Sequence, residues 1–324
     1  MRVLETTLPT KKANKKQSKT IGYAAAIIVV LIWSIWLVVS RSGAQSNLSI
    51  FDLAALRYGI SAIGALPFVL YYKPWKSMTW SQIAILSFML GPVYILFVFG
   101  GFTFAPASHG GIFMNGALPA ITLVAGWIWF SERIRLPHWI GGTLILIASV
   151  LAVLDGAALS LSESWVGDLM FLVGAIFFSG YMILSRLWNI SSTQVLLCGS
   201  VVNGIIYVPI WWLFLPSGLG EASQNQLILQ TLYQGLIPNL LGLLLVSIAV
   251  RSIGAATSAA FMAAVPGMGT LLSLIFLGEV PGIPGWLSLL LLTPGILLIA
   301  LTRKTHPTFS RKTAIAHERG VTHC

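Results

Sequence analysis

The stretch ALPAITLVAGWIWFSERIRLPHW (residues 117–139) has a counterpart in AVPGMGTLLSLIFLGEVPGIPGW (residues 264–286). Pro119 and Pro266 lie 147 positions apart, and Glu132 and Glu279 keep the same separation, as do an alanine, a second proline and a tryptophan. In each stretch an apolar run that is rich in small residues ends at the glutamate. The pattern indicates an internally duplicated chain whose copies each contain a proline-broken apolar helix.

The composition places the chain in a membrane. It has 324 residues, of which 56% are hydrophobic and 9% charged, and its mean hydropathy is +0.87. Soluble domains carry roughly 25% charged residues, so a soluble fold is excluded. Two cysteines, Cys198 and Cys324, supply no disulfide framework, and the sequence has no HExxH motif or histidine cluster. We therefore expect no metal, no cofactor and no enzymatic activity.

Ten apolar segments are long enough to span a bilayer as helices, which need ~20 residues each. Their length and continuous apolar character favour an all-α integral membrane protein over a barrel of short alternating strands. The predicted segments are 21–40, 51–71, 80–100, 106–130, 138–154, 166–185, 194–214, 229–250, 254–278 and 285–302.

The net charge of +10 reflects membrane topology rather than nucleic-acid binding. If the N-terminus is cytoplasmic, 17 of the 19 Lys and Arg residues fall in cytoplasmic tails and loops, and Arg41 alone falls outside. Cytoplasmic loops carry an excess of Lys and Arg, so the count predicts cytoplasmic termini in a multi-pass protein of the cell (inner) membrane. The basic segment before residue 21 is read as a tail, because ten apolar segments follow where a signal peptide has one.

The duplication divides the ten segments into two inverted repeats. Five segments per copy is an odd number, so the second copy crosses the bilayer in the opposite direction, and Glu132 and Glu279 end on opposite sides. The division is supported by the dipeptide Ser40-Arg41, which recurs 145 positions later as Ser185-Arg186. The predicted organisation is a basic cytoplasmic tail (1–20), a first five-helix repeat (21–154), an external linker (155–165), a second repeat (166–302) and a cytoplasmic tail (303–324).

Several short motifs in this order resemble the drug/metabolite transporter superfamily, in its ten-helix EamA-type branch. They are Leu56-Arg57-Tyr58, Pro119 with Ser131-Glu132-Arg133, Gly167-Asp168-Leu169, and Pro266 with Gly278-Glu279. The resemblance covers roughly residues 20–303 and departs at Val280-Pro281, where a basic residue often follows the glutamate. It implies transport of small metabolites, with export of amino acids, amines or related compounds in many members and import or scavenging in others.

Prolines interrupt corresponding segments of the two repeats. Pro92 and Pro238 fall in segments three and eight, and Pro119 and Pro266 in segments four and nine. A proline inside a helix frees the carbonyl four residues earlier, here that of Asn115 or Met262. These prolines either shape packing as simple kinks or act as hinges beside a polar cavity.

Ionisable residues inside or at the ends of membrane segments are candidates for function. His109 either bonds a neighbouring helix, contacts substrate or exchanges a proton. Arg57, ~9 Å into the second segment, forms a structural or gating ion pair with Asp52 or recognises an anionic substrate group. Glu132 and Glu279 either belong to gating pairs or are interfacial charges without a coupling role.

Amides and aromatic residues complete the candidate substrate site. Asn115 is the preferred contact because it shares the kinked turn before Pro119, although interhelical hydrogen bonds alone could explain the buried amides. Aromatic residues occupy matching positions in the first helices of both repeats, which favours an aromatic-walled cavity over lipid anchoring. The candidate contacts are Asn115, His109, Met114, Met262, Trp33, Trp36, Tyr94, Tyr181 and Asn239.

The favoured function is a secondary transporter that exports small metabolites by alternating access around a central cavity. Its partners would be a small-molecule substrate and the lipid bilayer, and no nucleic acid. A monomer would be competent because one chain holds both repeats, and a homodimer is possible. A membrane-embedded enzyme acting on a lipid-linked substrate and a non-transporting sensor or assembly protein are the alternatives.

Overall fold

The computed structural model describes residues 11–158 and 163–302, and all ten helices of membrane-spanning length found there are strongly apolar. We number them α1–α10, and four of them consist of more than one helical segment. In chain order the described helices are α1 (Lys11–Ala44), α2 (Ile50–Tyr72), α3 (Trp80–Met89 and Pro92–Phe104), α4 (Ala107–His109, Gly110–Gly116 and Ala117–Phe130), α5 (Leu136–Ala158), α6 (Ser164–Leu187), α7 (Ser192–Phe214), α8 (Gln224–Leu236, Ile237–Leu241 and Gly242–Ile253), α9 (Ala255–Met262 and Val265–Leu277) and α10 (Ile283–Thr302).

The predicted boundaries need two corrections. Residues 11–20 of the predicted tail belong to α1, while residues 1–10 and 303–324 lie outside the described residues. The predicted linker 155–165 is shorter, because α5 continues to Ala158 and α6 begins at Ser164. Asp155 is therefore a buried residue of α5 rather than part of a connection.

Local sequence explains several helix ends. Ser49, Thr79 and Ser191 each accept a hydrogen bond from the backbone three residues later, while the side chain there bonds back, which satisfies free N–H groups at the starts of α2, α3 and α7. The two repeated glutamates follow residues in the left-handed conformation, Ser131 at φ 52° and Gly278 at φ 69°. This conformation closes a helix C-terminus, so both copies stop just before the carboxylate.

All four repeated prolines lie at irregular turns or close after them. Pro92 begins the second segment of α3, and Pro238 lies in the π-helical turn Ile237–Leu241 of α8. Pro119 follows the π-helical turn Gly110–Gly116 of α4, and Pro266 follows the break in α9. Equivalent helices of the two repeats are thus interrupted at equivalent depths, although the form of the interruption differs.

Helices of the first repeat pack mainly against helices of the second repeat. The most extensive helix contacts join helices of different repeats: α5 with α10, α2 with α7, α3 with α6, and α1 with α8 and α9. The first pair packs closely at Gly141 and Gly295, where an added Cβ on Gly141 would lie 2.7 Å from the carbonyl oxygen of Gly295. Two inverted five-helix repeats therefore form one bundle, as the sequence predicts.

The outer surface of the bundle is apolar. Ile63, Trp212 and Phe276 are about 70% exposed, and many other large apolar side chains are exposed on neighbouring turns. A surface of this kind suits lipid rather than water. We call the end of the bundle that carries Lys19 and Thr302 the terminal face, and the end that carries Ala44 and Glu279 the opposite face.

Candidate functional site

A central cavity of about 150 Å³ lies between helices of both repeats. Its walls come from α1, α2, α3, α4, α6, α7 and α8, and include both π-helical turns through Met114, Asn115, Pro238 and Asn239. The aromatic part of the lining consists of Trp33, Trp36, Tyr58, Tyr94, Phe178 and Tyr181. The cavity thus combines an apolar aromatic wall with a few polar groups, which is typical of a small-molecule site.

A larger cavity of about 610 Å³ adjoins the central one and extends toward the terminal face. The two share Trp33, Asn115, Leu118 and Phe178 as lining residues. The larger cavity is also lined by Pro119 and Thr122 of α4, by Met262 and Ala263 beside the break in α9, and by Glu132 and Arg186. Together the two cavities form a path from the middle of the bundle to the terminal face.

An ion pair joins the two repeats at the opposite face. Nε of Arg41 lies 2.7 Å from Oε1 of Glu279, and the second carboxylate oxygen accepts a hydrogen bond from the backbone N–H of Ala107 at 2.9 Å. Nη1 of Arg41 also donates to the carbonyl oxygens of Phe102 and Thr103. We call Arg41 and Glu279 the opposite-face pair, and neither residue lines the cavities described above.

A second ion pair joins the repeats at the terminal face. Nη1 of Arg186 lies 2.6 Å from Oε1 of Glu132, and the guanidinium stands 3.9 Å from the ring centre of Phe130. The side chain of Arg186 is 43% exposed, against 9% for Arg41. We call Glu132 and Arg186 the terminal-face pair. Each pair connects the first helix of one repeat to the end of the fourth helix of the other.

Both repeats are matched by a family model. The model of the EamA-like transporter family matches the chain twice, over residues 20–154 and 165–301. The chain belongs to this family. The two matches coincide with the two five-helix repeats, which confirms the resemblance seen in the sequence.

Comparison with solved structures supports the same fold. A structure titled "Crystal structure of protein" superposes with a TM-score of 0.57 at 19% sequence identity, covering 90% of this chain and 100% of that one. At this identity the likeness bears on the fold alone. No curated protein matched the chain.

Membership of the EamA-like transporter family, together with the ten apolar helices of the described residues, indicates a multi-pass membrane protein of the small-molecule transporter type. Arg57 lines the central cavity and is held there by neighbouring polar side chains. Nη2 of Arg57 donates to Oδ1 of Asn239 at 2.6 Å, and the amide nitrogen of Asn239 donates to Ser61 at 3.2 Å. The predicted pairing of Arg57 with Asp52 is not formed.

Asp52 has a different role from the predicted gating pair. Its carboxylate accepts hydrogen bonds from the backbone N–H of Ser49 and Gly218 and from Nε1 of Trp211, at 2.8–2.9 Å. It is fully buried and ties the start of α2 to the end of α7 and the loop that follows. The correction was readable in the sequence, because Ser49-Ile50-Phe51-Asp52 has the spacing of a helix capping box.

His109 lies outside both cavities. Its Nδ1 is 2.7 Å from Oδ1 of Asp168, at the start of α6, and the two side chains are 1% and 3% exposed. Nε2 of His109 and Oδ2 of Asp168 are buried without a hydrogen-bond partner among the described residues. The contact of His109 with substrate therefore stays a prediction that the observed geometry does not favour, whereas its bond to a neighbouring helix is present.

The structure brings most of the other predicted residues together. All predicted substrate contacts except His109 line a cavity. Asn115 and Trp33 line both cavities, and Met262 lines only the larger one. The central cavity alone is lined by Trp36, Tyr94, Met114, Tyr181 and Asn239. Pro119 and Pro238 line a cavity, whereas Pro92 and Pro266 do not. Hinge and binding roles for these residues remain predictions.

Sequence reasoning missed the partners of the two glutamates. The sequence identifies Arg41 and Arg186 only as matching positions of the repeat. The signal for the pairs is present in the two offsets, because arginines 145 positions apart and glutamates 147 positions apart form symmetric pairs once the repeats are inverted. Asn203, which lines the central cavity and donates to the carbonyl oxygen of Ser87, is not among the predicted contacts.

Proposed function

We propose that the protein is a secondary transporter that exports small metabolites, such as amino acids, amines or related compounds, by alternating access. The central cavity would hold the substrate, and the two repeats would rock around it. The observation that carries the proposal is the pair of cross-repeat ion pairs, one at each face of the bundle. A site with a closure at both ends is what alternating access requires.

The ion pairs at the two faces of the bundle differ in burial, which supports the proposal. The opposite-face pair is nearly buried and shares its groups with Ala107, Phe102 and Thr103, so that end is closed. The terminal-face pair lines the larger cavity, and Arg186 is substantially exposed. In the proposed cycle the terminal face is therefore the more accessible end, and the opposite-face pair would break when the cavity opens to the other side.

The distribution of basic residues supports a cytoplasmic terminal face in the cell (inner) membrane, with both termini inside the cell. The open cavity would then load substrate from the cytoplasm, which suits an exporter. Polar lining at Asn115 and Asn239 and the irregular turns beside Pro119, Pro238 and Pro266 are the parts we assign to binding and bending. One chain supplies both repeats, so a monomer suffices, and a homodimer is compatible with this scheme.

Counterflow in proteoliposomes tests the proposal. Vesicles containing the purified protein are loaded with one unlabelled amino acid, amine or organic acid, and uptake of the same labelled compound is followed. We expect transient accumulation of at least one compound, absent from protein-free vesicles and from an Asn115→Trp variant whose new ring fills the shared part of the two cavities. If no compound accumulates and none raises the unfolding temperature, the transport proposal fails and the sensor or assembly role takes its place.

A further inference from the structure

The central cavity has an unbalanced charge. Of the residues described as lining it, Arg57 is charged at neutral pH and none is an aspartate, glutamate, lysine or histidine. Among the described residues the three ion pairs involve Arg41, His109 and Arg186, so the guanidinium of Arg57 has no carboxylate within 4.0 Å. Arg57 is partly buried, and a cation without a counter-ion inside a membrane protein is costly, so the missing charge needs an explanation.

The guanidinium is held in place from one side. Nη2 donates to Asn239, the amide of Asn239 donates to Ser61, and Ser61 donates to the carbonyl oxygen of Gly235. This chain of bonds links α2 to the π-helical turn of α8 and fixes the orientation of both side chains. Arg57 is thus positioned in advance, which reduces the entropy lost when a ligand binds.

On its other side the guanidinium has the hydroxyl of Tyr58, which donates to the carbonyl oxygen of Leu90, as a polar neighbour, but no carboxylate. Nη1 of Arg57 is buried and forms no hydrogen bond within the described residues. The guanidinium carbon lies 5.9 Å from the ring centre of Trp36, which faces the same cavity. The free donor therefore stands beside an aromatic wall, where a ligand would find both a charged and an apolar contact.

We propose that this cavity selects small organic anions, with a carboxylate bound by Nη1 of Arg57 and an apolar body against Trp33, Trp36, Tyr94, Phe178 and Tyr181. The inference rests on the proposed transport function and narrows its substrate class. A carboxylate supplies the missing counter-ion and accepts the free N–H groups in the planar geometry that arginine favours. A simple amine places a second cation beside Arg57, so the cavity disfavours it.

Matched ligands of one shape test the charge preference. Benzoate, benzamide and benzylamine are titrated into the full-length protein in lipid nanodiscs by calorimetry at pH 7.4, with empty nanodiscs as the blank. Phenylacetate, hexanoate and L-phenylalanine extend the carboxylate set, and L-phenylalaninamide removes the carboxylate from the last. We expect at least one carboxylate to bind at least about tenfold more tightly than its uncharged or cationic counterpart, because a hydrogen bond to a charged group is among the strong ones.

Variants connect the preference to the guanidinium. Arg57→Gln should remove the preference, and Arg57→Lys should weaken it because the planar fork is lost. Arg251→Gln, an exposed arginine at the end of α8, is the control and should keep it. Asn239→Asp retains Arg57 but places a carboxylate against it, so this variant should also lose carboxylate binding even if Arg57→Gln fails to fold.

Three results would overturn the inference: tighter binding of benzylamine or benzamide than of benzoate, an unchanged carboxylate preference in folded Arg57→Gln or Asn239→Asp protein, or no carboxylate binding into the millimolar range. The outcome is separable from the transport proposal. Counterflow of an amine with no role for Arg57 would leave transport standing and remove the anion site. Arg57-dependent binding of carboxylates without flux of any compound would leave the anion site standing and remove the transport proposal.

Discussion

Arg41 of α1 and Glu279 at the end of α9 form an ion pair of 2.7 Å that joins the two repeats at the opposite face. Glu132 and Arg186 form its symmetric counterpart at the terminal face, at 2.6 Å. The inverted repeat thus places the same contact at both faces of the bundle. The two glutamate side chains are equally exposed, and the pairs differ at the arginine, which is nearly buried in Arg41 and about half exposed in Arg186.

Neutralising the two glutamates should therefore cost different amounts of stability. Glu279→Gln removes a charge that Arg41 and the Ala107 N–H both contact in a nearly buried setting, so we expect the free energy of unfolding to fall by about 1–3 kcal/mol. Glu132→Gln is the matched control, with a half-exposed partner and an expected loss below about 1 kcal/mol. Unfolding by titration with dodecyl sulphate measures both. Equal losses would show that burial does not distinguish the pairs.

The buried His109–Asp168 pair should behave as a unit. Removing one partner leaves the other as an uncompensated polar group in the membrane interior, and breaking a buried pair costs about 3–5 kcal/mol. We expect His109→Phe and Asp168→Leu each to destabilise the protein strongly, and the double variant to lose less than the sum of the two. The same unfolding titration gives the coupling. Additive losses would mean that the 2.7 Å contact contributes nothing.

Whether a feature of this protein can be predicted from its sequence depends on how far apart in the sequence the interacting residues lie. The ten spans, the repeat and the breaks near Pro92, Pro119, Pro238 and Pro266 are consequences of local apolarity and of missing backbone N–H groups, so they are visible in the sequence. The depth of Arg57 was likewise readable from its position in α2. The partners of Arg57 and His109 are not visible there, because each partner lies on a helix distant in sequence and is selected by packing.

Asn115 lines both cavities and should affect transport more than folding. Asn115→Ala removes one hydrogen-bonding group from the path, and we expect flux of the transported compound to fall by about threefold to tenfold. Asn225→Ala, an exposed asparagine in the first turn of α8, is the control and should leave flux unchanged. Counterflow rates in proteoliposomes provide the measurement. Wild-type flux in Asn115→Ala would place the substrate elsewhere.

Pro119 should lower the stability of the protein and allow faster transport. Pro119→Ala supplies an N–H group that can bond the carbonyl of Asn115 and make α4 more regular, so we expect a gain of about 1 kcal/mol in unfolding free energy together with slower flux. Pro209→Ala, inside α7 and outside both cavities, is the control that should change stability without slowing flux. Equal effects of the two substitutions on flux would remove the hinge role of Pro119.

Alternating access is tested most directly by measuring both ends of the molecule in one experiment. Spin labels at Gln45 and Val280 span the opposite-face pair, and labels at Arg133 and Leu187 span the terminal-face pair, on a background in which Cys198 and Cys324 are replaced. Pulsed electron spin resonance is recorded for the wild type and for Glu279→Gln. We expect Glu279→Gln to lengthen the Gln45–Val280 distance and to shorten or narrow the Arg133–Leu187 distribution, because opening one end closes the other. Distances that stay fixed, or lengthen together, would contradict alternating access.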